Sequence, residues 1–278
     1  MCFSSLKCVP KIYNMFIDSL SSTKNPKIKE LIELQEKSRE RREKGLFIVE
    51  GIRELEACIR NGYEIESLFF FSDEYPQELA SNITCNHLYS VTSNVYSKIA
   101  YRGGTEGVTA IVREKKLKLN DIKLSENPLV IVLESVEKPG NLGAILRTAD
   151  AAKADAVIIC DPLTDLFNPN VIRSSLGGIF TNQVCSCTSD ECYVWLKSNG
   201  LKILTAELQA AGWYHKTDMT SPTALVMGSE SDGLKPFWRE RADARIKIPM
   251  NGTIDSLNVS VSTAILCFEA LRQRDFKY

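Results

Sequence analysis

The sequence predicts an α/β protein in which a small α/β domain precedes a larger domain built on a parallel sheet. Short apolar runs alternate with helical patterns along most of the chain, which is the order typical of α/β folds. The runs at 129–133, 156–160 and 223–227 are almost wholly apolar. That composition is typical of central parallel strands, which are buried on both faces.

Length and composition indicate a folded protein with room for two domains. The chain has 278 residues, of which 44% are hydrophobic and 25% charged, and its net charge is −1. No apolar run approaches the roughly 20 residues that a membrane helix needs, and the start has no signal-peptide core. We therefore expect a cytoplasmic protein without membrane contact. The first 24 residues are expected to be a flexible extension, and Met15 is an alternative start.

The first domain is expected at 25–113 and begins with a charged helix. Asn25 suits the N-cap, Pro26 suits the first helical position, and Gly45 provides a stop. The later part of this helix is basic, and its cations either grip a phosphate backbone or complement the helix dipole in solvent. The basic residues are Lys37, Arg39, Arg41, Arg42 and Lys44.

Strands and helices then alternate to the end of this domain. Strands are expected at 46–49, 65–71, 87–91 and 107–112, with helices at 52–60, 76–80 and 94–100. Arg102 lies in a glycine-bearing surface turn before the last strand and is a weaker candidate for contacting phosphates. The lysine-rich, aperiodic segment 114–128 is expected to be a linker.

The second domain is expected at 129–278, and its first loop follows the strand 129–133. The loop runs to Gly143, and a helix is expected at 144–152. Gly140 and Gly143 do not form the dinucleotide-binding pattern, and the P-loop lysine is missing. Arg147 lies six residues after Asn141, so both side chains can reach the same end of the sheet. The alternative is an ordinary surface arginine.

Two more loops carry polar residues after predicted strands, as is usual for ligand sites in parallel sheets. The loop 228–234 contains Glu230, either a functional carboxylate or a charge at the start of a helix. The loop 248–258 precedes a helix at 258–274, whose apolar spacing predicts packing against the sheet. The apolar positions are Val261, Ala264, Ile265, Phe268 and Leu271. Helices are also expected at 170–176 and 191–199, and strands at 179–185 and 202–206.

Nine dispersed cysteines fit reduced thiols better than a disulfide framework. Cys185, Cys187 and Cys192 are close in sequence, but their spacing is not that of a zinc knuckle. Both histidines lie far from them, and structural zinc needs four ligands. We therefore expect no metal.

Together the three loops are more specific than any one of them. They contain Asn141-x-Gly143-x-x-x-Arg147-x-Ala149, then Gly228-x-Glu230-x-x-Gly233, then Ile248-Pro249-Met250 with Ser256-Leu257-Asn258-Val259-Ser260-Val261. In order and spacing they resemble the three signature motifs of the SpoU/TrmH branch of the SPOUT superfamily of RNA methyltransferases. The resemblance covers about 129–274. The first domain resembles, more weakly, the ribosomal-protein-like substrate-binding domain of many members.

The resemblance implies a trefoil-knotted catalytic domain that forms a homodimer and holds S-adenosylmethionine in the knot. The implied reaction is methyl transfer to a ribose 2′-hydroxyl of structured RNA, with ribosomal RNA favoured over transfer RNA by the added domain. The implied reaction site consists of Asn141, Arg147, Glu230, Ser256 and Asn258. The implied cofactor contacts are Met227, Gly228, Ile248, Met250 and Leu257.

The role of Arg147 stays open at the level of sequence. The family view makes it the base that removes the 2′-hydroxyl proton, yet arginine normally stays charged. A charged Arg147 would instead stabilise the forming alkoxide or grip the adjacent phosphate. Two other functions are possible for such a sequence: a non-catalytic RNA-binding or ribosome-assembly factor, and a methyltransferase that acts on a base or on protein. The intact set of motif residues disfavours the first, and the third motif disfavours the second.

Overall fold

The computed structural model describes residues 16–101, 106–210, 212–229 and 231–276. The chain divides into two compact units, one of residues 1–55 and 62–114 and the other of residues 56–61 and 115–278. Each unit has its own sheet and its own apolar core. This is the two-part α/β organisation predicted from the sequence.

The first unit contains a mixed five-stranded sheet. Its strands are β1 (Ile17–Leu20), β2 (Leu46–Glu50), β3 (Ile65–Phe70), β4 (Cys85–Val91) and β5 (Val108–Arg113). They lie in the order β1-β4-β3-β5-β2, and β5 runs antiparallel to both of its neighbours. The helices of this half of the chain are α1 (Pro26–Glu36), α2 (Ser38–Lys44), α3 (Ile52–Arg60), α4 (Gln77–Ser81) and α5 (Ser93–Ile99).

The edge strand β1 corrects the expected N-terminal extension. Residues 17–20 pair in parallel with 88–91, and Leu20 is buried in the core of the unit. Ordered structure therefore begins before Asn25, inside the segment predicted to be flexible. The alternative start at Met15 lies outside the described residues.

The helix expected from Asn25 to Lys44 is broken at Lys37, which adopts an extended conformation between α1 and α2. Arg41 explains the break. Its guanidinium donates to the carbonyl oxygens of Leu34 (2.6 Å) and Gln35 (3.0 Å) at the end of α1. The last carbonyls of a helix have no intrahelical partner, so Arg41 caps α1 from the following helix.

The second unit contains a seven-stranded sheet in which every pairing is parallel. Its strands are β6 (Leu129–Glu134), β7 (Ala156–Cys160), β8 (Val184–Cys187), β9 (Lys202–Ala206), β10 (Gly212–Trp213), β11 (Thr223–Met227) and β12 (Ala244–Lys247). The order is β10-β12-β9-β11-β6-β7-β8. The helices are α6 (Pro139–Ala151), α7 (Pro169–Ser175), α8 (Gly178–Thr181), α9 (Ser189–Ser198), α10 (Pro236–Arg241) and α11 (Val259–Gln273).

Three expectations in this half of the chain need correction. Residues 178–181 are helical, so the strand predicted at 179–185 begins only at Val184. Helix α6 begins at Pro139 rather than Ala144, which places Asn141 in its first turn. The supposed linker packs against the second core through Leu119, Ile122 and Leu124. These three apolar side chains anchor the segment to the core although most of its other residues are polar or charged.

The buried face of helix α11 overlaps the predicted face only in part, with Leu271 common to both. Its buried residues are Val259, Thr263, Leu266, Cys267, Glu269, Ala270 and Leu271. On the predicted face, Val261 and Phe268 are 46% and 44% exposed. The helix is apolar on two sides, so its periodicity identified a helix but not the face that the sheet covers.

Candidate active site

The three motif loops meet at one edge of the parallel sheet. They follow β6, β11 and β12, and the carboxyl ends of parallel strands lie at the same edge. A cavity of about 520 Å³ opens there. Its lining includes residues from four segments: 206–209, 227–229 with 231–234, 246–248 with 250, and 256–259.

The cavity brings together the cofactor contacts implied by the motifs. Met227, Gly228, Ile248, Met250 and Leu257 all line it. Two implied reaction-site residues, Ser256 and Asn258, also line the cavity. The segment 206–209 after β9 contributes lining that the sequence analysis missed. Its only sequence signal is its position directly after a predicted parallel strand.

Asn141 and Asn258 join the first and third loops. The Asn258 Oδ1 atom accepts hydrogen bonds from the backbone N–H of Ser260 (2.9 Å) and from its hydroxyl (2.6 Å), which caps α11. The Nδ2 atom of the same amide donates to Asn141 Oδ1 at 3.1 Å. The cap fixes the orientation of the Asn258 amide, and this orientation directs its donor toward Asn141.

The loop after β11 forms a tight turn. The backbones of Ser229 and Gly233 exchange hydrogen bonds of 3.2 and 3.1 Å. A Cβ atom on Gly228 would lie within 2.5 Å of the Gly233 carbonyl oxygen, so only glycine allows this approach. The implied reaction-site residue Glu230 lies outside the described residues.

A buried carboxylate, Glu134, fastens the turn to the sheet. It ends β6, is 1% exposed, and accepts a hydrogen bond of 2.8 Å from the backbone N–H of Lys235. Its other oxygen, Oε1, has no hydrogen-bond partner among the described residues. Burial raises the pKa of the Glu134 carboxyl, and the Lys235 N–H only partly opposes this effect. The sequence analysis did not identify Glu134 as a site residue. The available signal was a carboxylate directly after the apolar run 129–133.

Arg147 is exposed and does not belong to the cavity lining. Six residues of α-helix separate it from Asn141 by about 9 Å along the axis and roughly 240° around it. The two side chains therefore leave α6 on different sides. No described residue forms a hydrogen bond or ion pair with Arg147. Its exposure does not fit a desolvated guanidinium pressed against Ser256 or Glu230, the arrangement that would favour its action as a base.

Gly143 has a packing role. A Cβ atom at this position would overlap the Ser174 side chain and approach the Ser174 backbone carbonyl carbon to 2.8 Å. Helices α6 and α7 are therefore in close contact where the first motif has glycine. The motif residue fixes the position of α6, which carries Asn141 and Arg147.

The basic residues predicted to bind RNA have different environments. Arg41 is 4% exposed and its guanidinium binds backbone carbonyls, so its assignment to RNA was wrong. Lys37, Arg39 and Lys44 form ion pairs with glutamates of α1 and α2. Arg42 is exposed, and no described residue forms an ion pair with it. Arg102 lies outside the described residues.

Comparison with known proteins identifies the class. Residues 128–268 match the family model described as SpoU rRNA Methylase family, and residues 25–110 match the MRM3-like substrate binding domain. The chain belongs to the SpoU rRNA methylase family. The membership and the two-domain fold class predicted from the motifs are confirmed.

Individual relatives resemble the chain over nearly its whole length. The 23S rRNA (guanosine(2553)-2′-O)-methyltransferase RlmP of Bacillus subtilis is 30% identical over 90% of this chain and 97% of its own. A solved structure of AdoMet-bound rRNA methyltransferase from Sinorhizobium meliloti has a TM-score of 0.84 at 30% identity, covering 92% of this chain and 98% of that one. A solved RNA 2′-O ribose methyltransferase has a TM-score of 0.79 at 37% identity, covering 92% and 99%.

Proposed function

We propose that this protein transfers a methyl group from S-adenosylmethionine to a ribose 2′-hydroxyl of ribosomal RNA. The observation that carries the proposal is that one cavity is lined by all five implied cofactor contacts together with Ser256 and Asn258. Family membership and the names of the relatives support ribosomal RNA over transfer RNA. A non-catalytic RNA-binding or ribosome-assembly factor would not require this arrangement.

The cavity fits the cofactor in size and in chemistry. Its volume falls within the range of about 300–1,000 Å³ typical of ligand pockets. Apolar side chains such as Met227, Ile248 and Leu257 alternate with backbone polar groups and the exposed turn after Gly228. When bound, S-adenosylmethionine supplies an activated methyl group on a sulfonium. The chain's own residues shape the pocket and orient the ribose.

We assign the reaction site to residues around the mouth of this cavity. Ser256 and Asn258 orient the target ribose, and the hydrogen bond from Asn258 to Asn141 holds the first and third loops together. Glu230 belongs to the same proposed site by its motif position. The exposure of Arg147 favours a charged guanidinium that grips the phosphate next to the ribose or stabilises the alkoxide.

Replacing Arg147 by alanine tests this assignment. We expect methylation of ribosomal RNA to be lost while S-adenosylmethionine binding, measured by calorimetry, stays near wild type. If Arg147 grips the phosphate, its loss should raise KM for RNA; if Arg147 stabilises the alkoxide, its loss should lower kcat. Arg173→Ala, which removes another exposed arginine from the neighbouring helix α7, is the matched control. Near-normal turnover of Arg147→Ala would reject the assignment.

For RNA binding we propose the exposed basic residues of the first unit: Lys37, Arg39, Arg42 and Lys44, with Arg102 as a weaker contact. Their ion pairs with surface glutamates do not oppose this role, because such pairs contribute only about 0–1 kcal/mol. Arg42→Glu should weaken RNA binding and flatten its salt dependence without changing cofactor affinity. Lys98→Glu changes the net charge equally elsewhere in the unit. Equal weakening by both variants would show only a general charge effect.

We also propose that a second copy of the chain covers α11. Val261, Phe268, Ile254 and Leu257 are 46%, 44%, 69% and 39% exposed, which leaves apolar side chains in solvent on this helix and the preceding loop. Phe268→Asp should convert a dimer to a monomer in sedimentation experiments. Val194→Asp, at a site 65% exposed on α9, is the control. A monomeric wild-type protein would refute the dimer.

We propose that the activity lies in the cytoplasm, because ribosomal RNA is the substrate named for bacterial relatives such as RlmP. Within the described ranges, no helix is both long and apolar enough to cross a bilayer. The cysteines of the same ranges are free thiols. Comparing ribose-methylation maps of cellular RNA with and without the protein would identify the modified nucleotide.

A further inference from the structure

Three cysteine thiols converge at the end of the second sheet farthest from β10. Cys160 is the last residue of β7 and Cys187 the last residue of β8, and the two are paired in register. Cys192 joins them from α9. The three Sγ atoms lie within 4.8 Å of one another. The sheet register and one helix thus bring three sulfurs from separate elements to one point.

The spacing of the sulfurs suits a single metal ion. With a Zn–S bond of about 2.3 Å, sulfurs around one ion lie roughly 3.8–4.0 Å apart in tetrahedral or trigonal geometry. The three Sγ–Sγ distances in the cluster are all at most 4.8 Å, so they are compatible with this spacing. Cys160 and Cys192 are fully buried, whereas Cys187 is half-buried and gives the cluster a side near solvent.

The charges around the cluster suit a divalent cation. The carboxylates of Asp161 and Glu191 lie close enough to Cys187 to add negative charge beside the cluster. A dication offsets more of this charge than a monovalent ion such as Cu⁺ does.

We propose that Cys160, Cys187 and Cys192 form a thiolate site for one Zn²⁺ ion. No other His, Cys, Asp or Glu side chain within the described part of the chain joins the group, so the fourth position is open to water or an exogenous ligand. The ion links β7, β8 and α9. The expectation of no metal rested on sequence spacing alone, which could not include Cys160.

The test is calorimetric titration of reduced, metal-stripped full-length protein with Zn²⁺ in two buffers of different ionisation enthalpy. We expect one ion per chain and a release of protons, seen as a heat that depends on the buffer, because cysteine ligands bind zinc as thiolates and must lose their protons. Cys187→Ser should weaken binding by on the order of 100-fold or more. Cys85→Ser, which removes a half-buried thiol from the other unit, should bind as wild type does.

Three results would overturn the proposal: no Zn²⁺ uptake, equal uptake by wild type and Cys187→Ser, or an oxidant-formed disulfide among these cysteines with no uptake by the reduced protein. Circular dichroism of each variant establishes that it is folded. Cys192→Ser is the second variant and should also lose the site. If that buried substitution prevents folding, the half-buried Cys187→Ser decides the question alone.

Discussion

Gly228→Ala provides the sharpest test of the proposed cofactor pocket. The new methyl group would meet backbone atoms of Gly233 and Leu234 rather than the end of a side chain that can rotate away. At 2.5 Å from the Gly233 carbonyl oxygen, the turn must retreat by about 1 Å to reach ordinary contact. That retreat breaks the Ser229–Gly233 hydrogen-bond pair.

The displacement sets the expected magnitude. Misplacing a binding element by about 1 Å costs on the order of 100-fold in catalytic efficiency. Because Met227, Gly228 and the turn line the cavity, we expect S-adenosylmethionine affinity to fall by at least about tenfold as well. The loss should be smaller for stability, since an exposed turn can open without uncovering the apolar core.

Calorimetric binding of S-adenosylmethionine and methylation kinetics with ribosomal RNA measure the two effects. Gly252→Ala is the matched control, because a Cβ atom there meets nothing within 4 Å and the residue lies in the loop 248–258. We expect the control to bind cofactor as wild type does. Wild-type cofactor affinity in Gly228→Ala would refute the argument that this turn shapes the pocket.

Three further predictions concern stability, each measured by denaturant unfolding. Gly143→Ala should lower the free energy of unfolding by about 1–3 kcal/mol, because α6 must retreat from Ser174; an unchanged value would contradict the close packing. Glu134→Gln should raise stability at neutral pH, since the raised folded-state pKa means that ionisation opposes folding. The gain should vanish in acid, where both states of the wild type are protonated, and a pH-independent gain would exclude this cause. Arg41→Ala should cost about 1–3 kcal/mol by exposing the end of α1, whereas Arg42→Ala should change stability by less than about 0.5 kcal/mol. Equal effects of the two would refute the capping role.

Local pattern was sufficient to predict most of the elements. The apolar runs at 129–133, 156–160 and 223–227 became adjacent parallel strands, because β-branched apolar residues bounded by turns have few alternatives. The motifs then predicted seven of the residues that line the cavity, but not the segment 206–209. The trefoil knot stays a prediction that rests on family membership.

What the sequence could not predict depends on contacts between distant residues. Charge pattern did not distinguish Arg41, which caps a helix, from Arg42, which is in solvent. Cys160 joins Cys187 only through the register of β7 and β8. The buried face of α11 depends on which side the sheet occupies, and that choice is made by tertiary packing.

The amide of Asn258 has an unusual consequence for substitution. Its oxygen maintains the helix and its nitrogen reaches Asn141, so folding and assembly of the loops depend on different atoms of one side chain. Aspartate at position 258 has the same shape and would keep the cap. However, a carboxylate oxygen would then replace the Nδ2 donor and face Asn141 Oδ1 across the 3.1 Å gap, where neither atom can donate. Asparagine and aspartate are nearly identical in shape, but only asparagine has the donor group that joins the two loops at this position.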